Sequence, residues 1–164
     1  MLKRSGVTDP GYKVHAASAW KGSPTPMDTA VAYDPLYLKG IAYFNACEFF
    51  EAHEVWEELW KEYSGPLRLF YKGLIQAAVA LHHFGNGNIR GARKVYRSSR
   101  GYLEQYGPTC LGLDVEKFIA EFDACFAEVA ASQEEFPRIE LDPQRIPEIW
   151  LEPPVELPPI DIER

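Results

Sequence analysis

One stretch of the sequence, residues 49–60, concentrates the side chains that could do chemistry. It places four glutamates, one histidine and two tryptophans within twelve positions. Carboxylates and an imidazole that recur one helical turn apart can bind a divalent cation or transfer protons. Zinc, manganese or iron would suit such ligands, and Glu54 and Glu57 are the candidate catalytic groups. The candidate metal ligands are Glu51, His53, Glu54, Glu57 and, from a later segment, His82.

The spacing in this stretch does not complete a known metal-binding pattern. The zinc-protease pattern His-Glu-x-x-His is absent because Glu57 stands where the second histidine would be. The Glu-x-x-His pairs of di-iron bundles are also missing from the sequence. A mononuclear site would therefore need a further ligand from Gln76, His82 or His83.

A structural interpretation explains the same residues without a metal. His53 and Glu57 are four residues apart and are neighbours on a helix, so they can hydrogen-bond each other. The other glutamates would then pair with basic residues or meet water. A metal site requires its ligands to converge within about 2.0–2.2 Å of one point, whereas a framework requires each polar group to bond to protein. The polar cluster in either case comprises Glu51, His53, Glu54, Glu57, Gln76 and His82.

A second candidate is a basic face on a later helix, which could bind an anionic partner or phosphate groups. The sequence argues against nucleic-acid binding, because this face carries no interleaved aromatic residues and the chain has a pI near 5.1. A solvated surface, or intramolecular pairing with acidic residues, is the simpler interpretation. The face consists of Arg90, Arg93, Lys94, Arg97 and Arg100.

Hydrophobic periodicity predicts five helices that would position these groups. Asp34-Pro35 is a helix-start signal, and the first helix should end near Asn45. The second should run from about Cys47 to Tyr63, and Ser64-Gly65-Pro66 should start a third that ends at Phe84. The predicted fourth helix covers residues 89–106, and a fifth follows Asp114. The sequence therefore predicts an all-α fold, a compact bundle or irregular array of five helices.

The chain of 164 residues fits one domain with two flanking segments. Residues 1–32 show no sustained period and should be poorly ordered. Residues 33–132 form the helical domain. Residues 133–164 contain seven of the 13 prolines and carry nine acidic against three basic residues. Because this acidic tail also keeps many apolar residues, we expect it to lie extended on its own domain or on a partner.

Several separated blocks of the sequence resemble the DUF309 family of small helical proteins. They are Phe44-Asn45, the run FEAHEVWE at residues 50–57, the run GLIQAA at residues 73–78, and Gly112-Leu113-Asp114. The resemblance covers roughly residues 34–130. It implies an irregular all-α bundle, and it implies no activity because the family has none established.

The simplest function for such a chain is that of a non-catalytic interaction or scaffold protein. The three cysteines at unrelated spacings suggest reduced thiols and a cytoplasmic location. No apolar run approaches the roughly 20 residues of a membrane span. Exposed aromatic surface would favour a homodimer, and the tail could bind a protein partner. The alternative is a metal-dependent, hydrolase-like enzyme that uses the helix of residues 49–60 as its site.

Overall fold

The computed structural model describes residues 32–162, and this region is mostly helical. It contains six α-helices, and the all-α prediction is confirmed. The predicted poorly ordered segment lies outside the described residues, except for Ala32. The helices are α1 (Pro35–Asn45), α2 (Phe49–Glu62), α3 (Arg68–Gly85), α4 (Ile89–Leu103), α5 (Val115–Cys125) and α6 (Ala127–Ala131).

Irregular structure separates α4 from α5. A 3₁₀ turn, Glu104–Tyr106, follows α4 where the sequence predicted continuous helix. A short antiparallel hairpin comes next, formed by β1 (Thr109–Cys110) and β2 (Leu113–Asp114). The predicted fifth helix is divided into α5 and α6, although its apolar stripe runs through both.

Side-chain caps begin three of the helices. The Asp34 carboxylate accepts a hydrogen bond from the backbone N–H of Leu36 at 2.8 Å. Asn88 caps α4, and the Asp114 carboxylate accepts from the N–H of Lys117 at 2.9 Å at the start of α5. Such caps satisfy N–H groups that have no partner within the helix.

Helix α3 lies between α2 and α4 and is buried on most of its sides. Its contact with α4 is close because Gly73 carries no side chain, and a Cβ there would lie 2.7 Å from the Leu103 side chain. At the same contact the buried Ser99 hydroxyl donates to the Gly73 carbonyl at 2.7 Å. The α3–α4 pair is therefore held by both packing and a buried hydrogen bond.

The core between α1 and α2 is built around Trp56, which is fully buried. Its indole N–H donates to the backbone carbonyl of Tyr37 at 3.1 Å. The indole lies directly against the Cα of Gly40, since a Cβ at that position would collide with the ring. The other large core side chains are Tyr37, Phe44, Phe70, Phe118, Phe122 and Phe126.

The tail runs back over the helical domain in an extended conformation, interrupted by a 3₁₀ turn at Pro143–Arg145. Ile146, Ile149 and Leu151 are buried in the common core. A cleft of about 660 Å³ lies between α5 and this part of the tail. Among the helices of residues 32–162, none combines the length and the hydrophobicity that a membrane-spanning segment requires.

Candidate functional site

The candidate chemical residues lie along the seam where α2 packs against α3. Two contacts show that these helices run antiparallel. The Phe50 ring lies 5.6 Å from the His82 ring at one end, and the Lys72 ammonium lies 4.6 Å from the Trp60 ring at the other. This register places Gln76 of α3 opposite the middle of α2.

His53 is held in one orientation by its own helix. Its Nδ1 lies 2.9 Å from the carbonyl oxygen of Phe50, and because a carbonyl only accepts, Nδ1 carries the proton. The Nε2 atom then faces the Glu57 carboxylate at 3.6 Å. The same carboxylate lies 3.7 Å from the Lys61 ammonium. His53 and Glu57 are therefore neighbours, as their spacing predicted.

The other predicted ligands do not join this pair. Glu54 is exposed and Glu51 is half-buried, and neither makes an ion pair within residues 32–162. His82 contacts the Phe50 ring from the opposite helix, and its Nε2 accepts from the Asn86 amide at 3.2 Å. In the described part of the chain, no three His, Cys, Asp or Glu side chains are arranged to hold a metal ion. The metal site stays a prediction.

The side chains around the seam include two buried polar atoms with no hydrogen-bond partner within residues 32–162. They are Oε1 of Gln76 and the indole Nε1 of Trp60. At the end of α3, the Asn88 amide contacts Nδ1 of His83 at 3.3 Å. Burial, together with the neighbouring His82, lowers the pKa of His83. Both effects favour the neutral form of the His83 imidazole over the charged form.

In the tertiary structure, some residues of the predicted basic face of α4 bond to other helices and others stay exposed. The Arg100 guanidinium donates to the Asp123 carboxylate from α5 at 2.9 Å, and to Glu104 at 2.9 Å. The hydrogen bond with Asp123 raises the pKa of Arg100. The hydroxyl of Tyr96 donates to the same carboxylate at 2.6 Å. Arg100 is thus part of the α4–α5 contact.

The remaining basic residues of α4 differ in exposure. Arg93 donates from Nε to the Val129 carbonyl at 3.0 Å, which joins α4 to α6. Arg90 lies 3.8 Å from the exposed carboxylate of Glu135. Lys94 and Arg97 are exposed and make no ion pair with another described residue. Only part of the face is therefore open to a partner.

The sequence did not single out two residues that stand out in the structure. Phe50 is 46% exposed at the start of α2. Asn45, predicted to end the first helix and part of the block Phe44-Asn45, bonds the tail through both polar atoms of its side-chain amide. Its position at a helix end and its place in that block were the available signals.

Comparison with known proteins identifies the family that the helices α1 to α4 resemble. The family model of DUF309, a domain of unknown function, matches residues 37–95. The match confirms the resemblance. It covers the seam residues, including His53, Glu57, Gln76 and His82, and ends within α4.

Two relatives are also similar to this chain. The uncharacterized protein YpuF of Bacillus subtilis (strain 168) is 32% identical over 101 residues, which cover 59% of this chain and 58% of YpuF. An uncharacterized protein of Aquifex aeolicus (strain VF5) is 37% identical over 57 residues, which cover 34% of this chain and 17% of that protein. The chain thus spans less than two thirds of the length of either relative. Neither description names an activity.

Proposed function

We propose that this protein is a non-catalytic interaction protein that associates with a second copy of itself through α2 and α4. The two helices carry opposite charge. Within its bounds α2 has five glutamates and one lysine, a net charge of −4, while α4 has five basic residues and no acidic one, a net charge of +5. Opposite charges on two faces favour contact between copies.

The observation that carries the proposal is that both helices have exposed charged side chains that make no ion pair with another described residue. Glu54 and Glu58 on α2, and Lys94 and Arg97 on α4, are all exposed. None of the four makes an ion pair within residues 32–162. In a two-fold dimer, α2 of each copy would contact α4 of the other copy, so the same pairing would form twice.

The exposed ring of Phe50 supplies apolar area at the start of the acidic helix. Exposed ion pairs are individually weak and are screened by salt. We therefore expect self-association that is strongest at low ionic strength and that weakens as salt is added. Sedimentation velocity of the full chain at about 20 mM and about 500 mM salt measures this dependence, since the Debye length falls from more than ~20 Å to less than ~5 Å over that range.

Charge reversal tests the proposed pairing of faces. One variant, Glu54→Lys with Glu58→Lys, and another, Lys94→Glu with Arg97→Glu, should each remain monomeric because like charges then oppose each other. An equimolar mixture of the two variants should associate again, since both pairs of faces regain opposite signs.

The control is Glu140→Lys with Glu156→Lys in the tail, which changes the net charge as much as the α2 reversal does. It should leave self-association intact. A wild-type chain that is monomeric at low salt would refute the proposal. Failure of the mixed variants to associate would refute the assignment of the two faces.

One observation favours a second candidate function, a metal-dependent enzyme. The hydrogen bond from Nδ1 of His53 to the Phe50 carbonyl is the kind of contact that orients metal-binding histidines, and it leaves Nε2 beside the Glu57 carboxylate. Elemental analysis of tag-free protein tests this candidate. Near-stoichiometric zinc, manganese or iron that is lost in His53→Ala but retained in Glu58→Gln would support it, and no metal in the wild-type protein would reject it.

A further inference from the structure

The tail segment of residues 146–152 is bound to the helical domain as an extended peptide is bound in a groove. The Asn45 side-chain amide donates to the carbonyl of Ile149 at 2.9 Å, and its oxygen accepts from the N–H of Ile149 at 2.8 Å. The Asn45 side chain thus hydrogen-bonds both the N–H and the C=O of Ile149. In an antiparallel sheet, a residue of the neighbouring strand makes the same pair of hydrogen bonds.

A second backbone contact lies three residues further on. The N–H of Glu152 donates to the carbonyl of Gly112 at 2.9 Å. Gly112 has a φ of +78°, and a Cβ there would lie 2.5 Å from the Tyr33 hydroxyl, 3.3 Å from Cβ of Leu151 and 3.4 Å from the Glu152 carbonyl oxygen. Glycine therefore suits this position twice, by its conformation and by the space it leaves for the bound segment.

The side chains of the segment follow the alternation of an extended chain. Ile149 and Leu151 are buried, with 1% and 4% of their surface exposed, and Trp150 between them is half-buried. Ile146 and Pro147 are buried as well. The groove accordingly takes four apolar side chains and hydrogen-bonds the backbone at Ile149 and Glu152, a mode typical of peptide recognition.

The connection to this segment is more exposed than the segment itself. Between residues 133 and 145 only Pro137 is buried, while Ile139 and Leu141 pack against the core with part of their surface. A connection of 13 residues reaches at most about 45 Å, and it keeps the segment near its groove at an effective concentration of the order of millimolar. An exchange of the segment then requires the helices to stay folded while it is away from the groove.

We propose that the groove beside Asn45 and Gly112 is a binding site for an extended apolar segment of a partner protein, and that residues 146–152 fill it in the free chain. The partner segment would carry aliphatic residues at the spacing of Ile146, Ile149 and Leu151. It would need an N–H at the position of Ile149, which excludes proline there. Binding is an exchange, because the chain's own segment must leave first.

A peptide of residues 144–154 with a fluorescent label is the probe, and its anisotropy reports binding to the full-length chain. In wild-type protein the attached segment competes with the peptide. Ile149→Ser in the full chain weakens that competitor and leaves the groove intact. We expect the Ile149→Ser chain to bind the peptide at least about tenfold more tightly than wild-type protein does.

Three controls make the test specific to the groove. Ile160→Ser, in the tail beyond the segment, should leave peptide binding at the wild-type level. Asn45→Leu added to Ile149→Ser should abolish binding, because the backbone of the peptide loses both hydrogen bonds. A peptide with Ile149→Pro should not bind to any variant.

Each contrary outcome overturns the proposal. If the Ile149→Ser chain keeps its helical circular dichroism and binds no peptide, the groove is no exchangeable site. If that variant loses its helices, the segment is an integral part of the core. If wild-type protein instead forms a dimer that Asn45→Leu abolishes and Glu54→Lys with Glu58→Lys does not, the occupant is the tail of a second copy. The outcome of this test does not depend on the proposed association of α2 with α4.

Discussion

The contact between Gly40 and Trp56 allows the packing of α1 on α2 to be tested with one methyl group. Gly40 lies inside α1, and a Cβ there would collide with the indole of Trp56, which is fully buried. The ring can move only by losing its hydrogen bond to the Tyr37 carbonyl, 3.1 Å away. We therefore expect Gly40→Ala to destabilise the fold.

Three contributions set the size of this effect. Alanine is favoured over glycine in a helix by about 1 kcal/mol. Overpacking of a well-packed core costs about 1–3 kcal/mol, and leaving a buried N–H without its partner costs about 1–3 kcal/mol. The net expectation is a loss of about 1–5 kcal/mol of unfolding free energy, a large part of the roughly 5–15 kcal/mol of a typical domain.

Gly101→Ala is the matched control. Gly101 also lies within a helix, α4, but apart from its chain neighbours and its own helix backbone no atom of the described residues lies within 4 Å of an added Cβ. Here the helix preference acts alone, so the substitution should stabilise the protein by about 0.5–1 kcal/mol. Urea unfolding followed by circular dichroism measures both variants. Equal stability of Gly40→Ala and Gly101→Ala would refute the packing described for Trp56.

A double-mutant cycle assigns the loss to the indole. In a Trp56→Phe background the smaller ring leaves room for the added methyl group and donates no hydrogen bond. Gly40→Ala should then cost less than it does in the wild-type chain, with a coupling of about 1 kcal/mol or more. If the effects of Gly40→Ala and Trp56→Phe on the unfolding free energy are additive, the loss of stability does not arise from the contact between these two residues.

Three further predictions concern other contacts of α4 and α5. Ser99→Ala removes the buried hydrogen bond to the Gly73 carbonyl, and urea unfolding should show a loss of about 1 kcal/mol. Burial, helped by the hydrogen bond to Asp123, raises the pKa of Tyr96 to about 12. The unfolded chain therefore loses this proton first, so stability should be full below about pH 10 and fall between about pH 10 and 12. Urea midpoints at pH 9 to 11.5 should show a shallower fall in Tyr96→Phe. Asp114→Ala removes the cap of α5 and should cost about 1 kcal/mol in the same unfolding assay.

Most helix positions could be predicted from the local sequence pattern. The errors in the predicted helix bounds also have local causes. The predicted start of α2 at Cys47 was two residues early, because Cys47 has a φ of +62° and cannot belong to a right-handed helix. The break between α5 and α6 was missed because Phe118, Phe122, Phe126 and Val129 continue one apolar stripe across it. A short interruption does not disturb the spacing of such a stripe.

The candidate site was predicted in part. The neighbourhood of His53 and Glu57 followed from their spacing on one helix. The hydrogen bond of His53 to Phe50 and the buried oxygen of Gln76 did not, because they depend on side-chain orientation and on the register of α3. The catalytic and metal-binding roles of these residues stay predictions.

The sequence by itself determined the helices, their apolar faces and the opposite charges of α2 and α4, because these depend on residues within one or two turns of each other. Only the tertiary structure decided which charges remain exposed. Asp123 reaches Arg100 from 23 positions away, and Asn45 reaches Ile149 from 104 positions away. Contacts over such separations are set by how whole elements pack, and no local pattern encodes them.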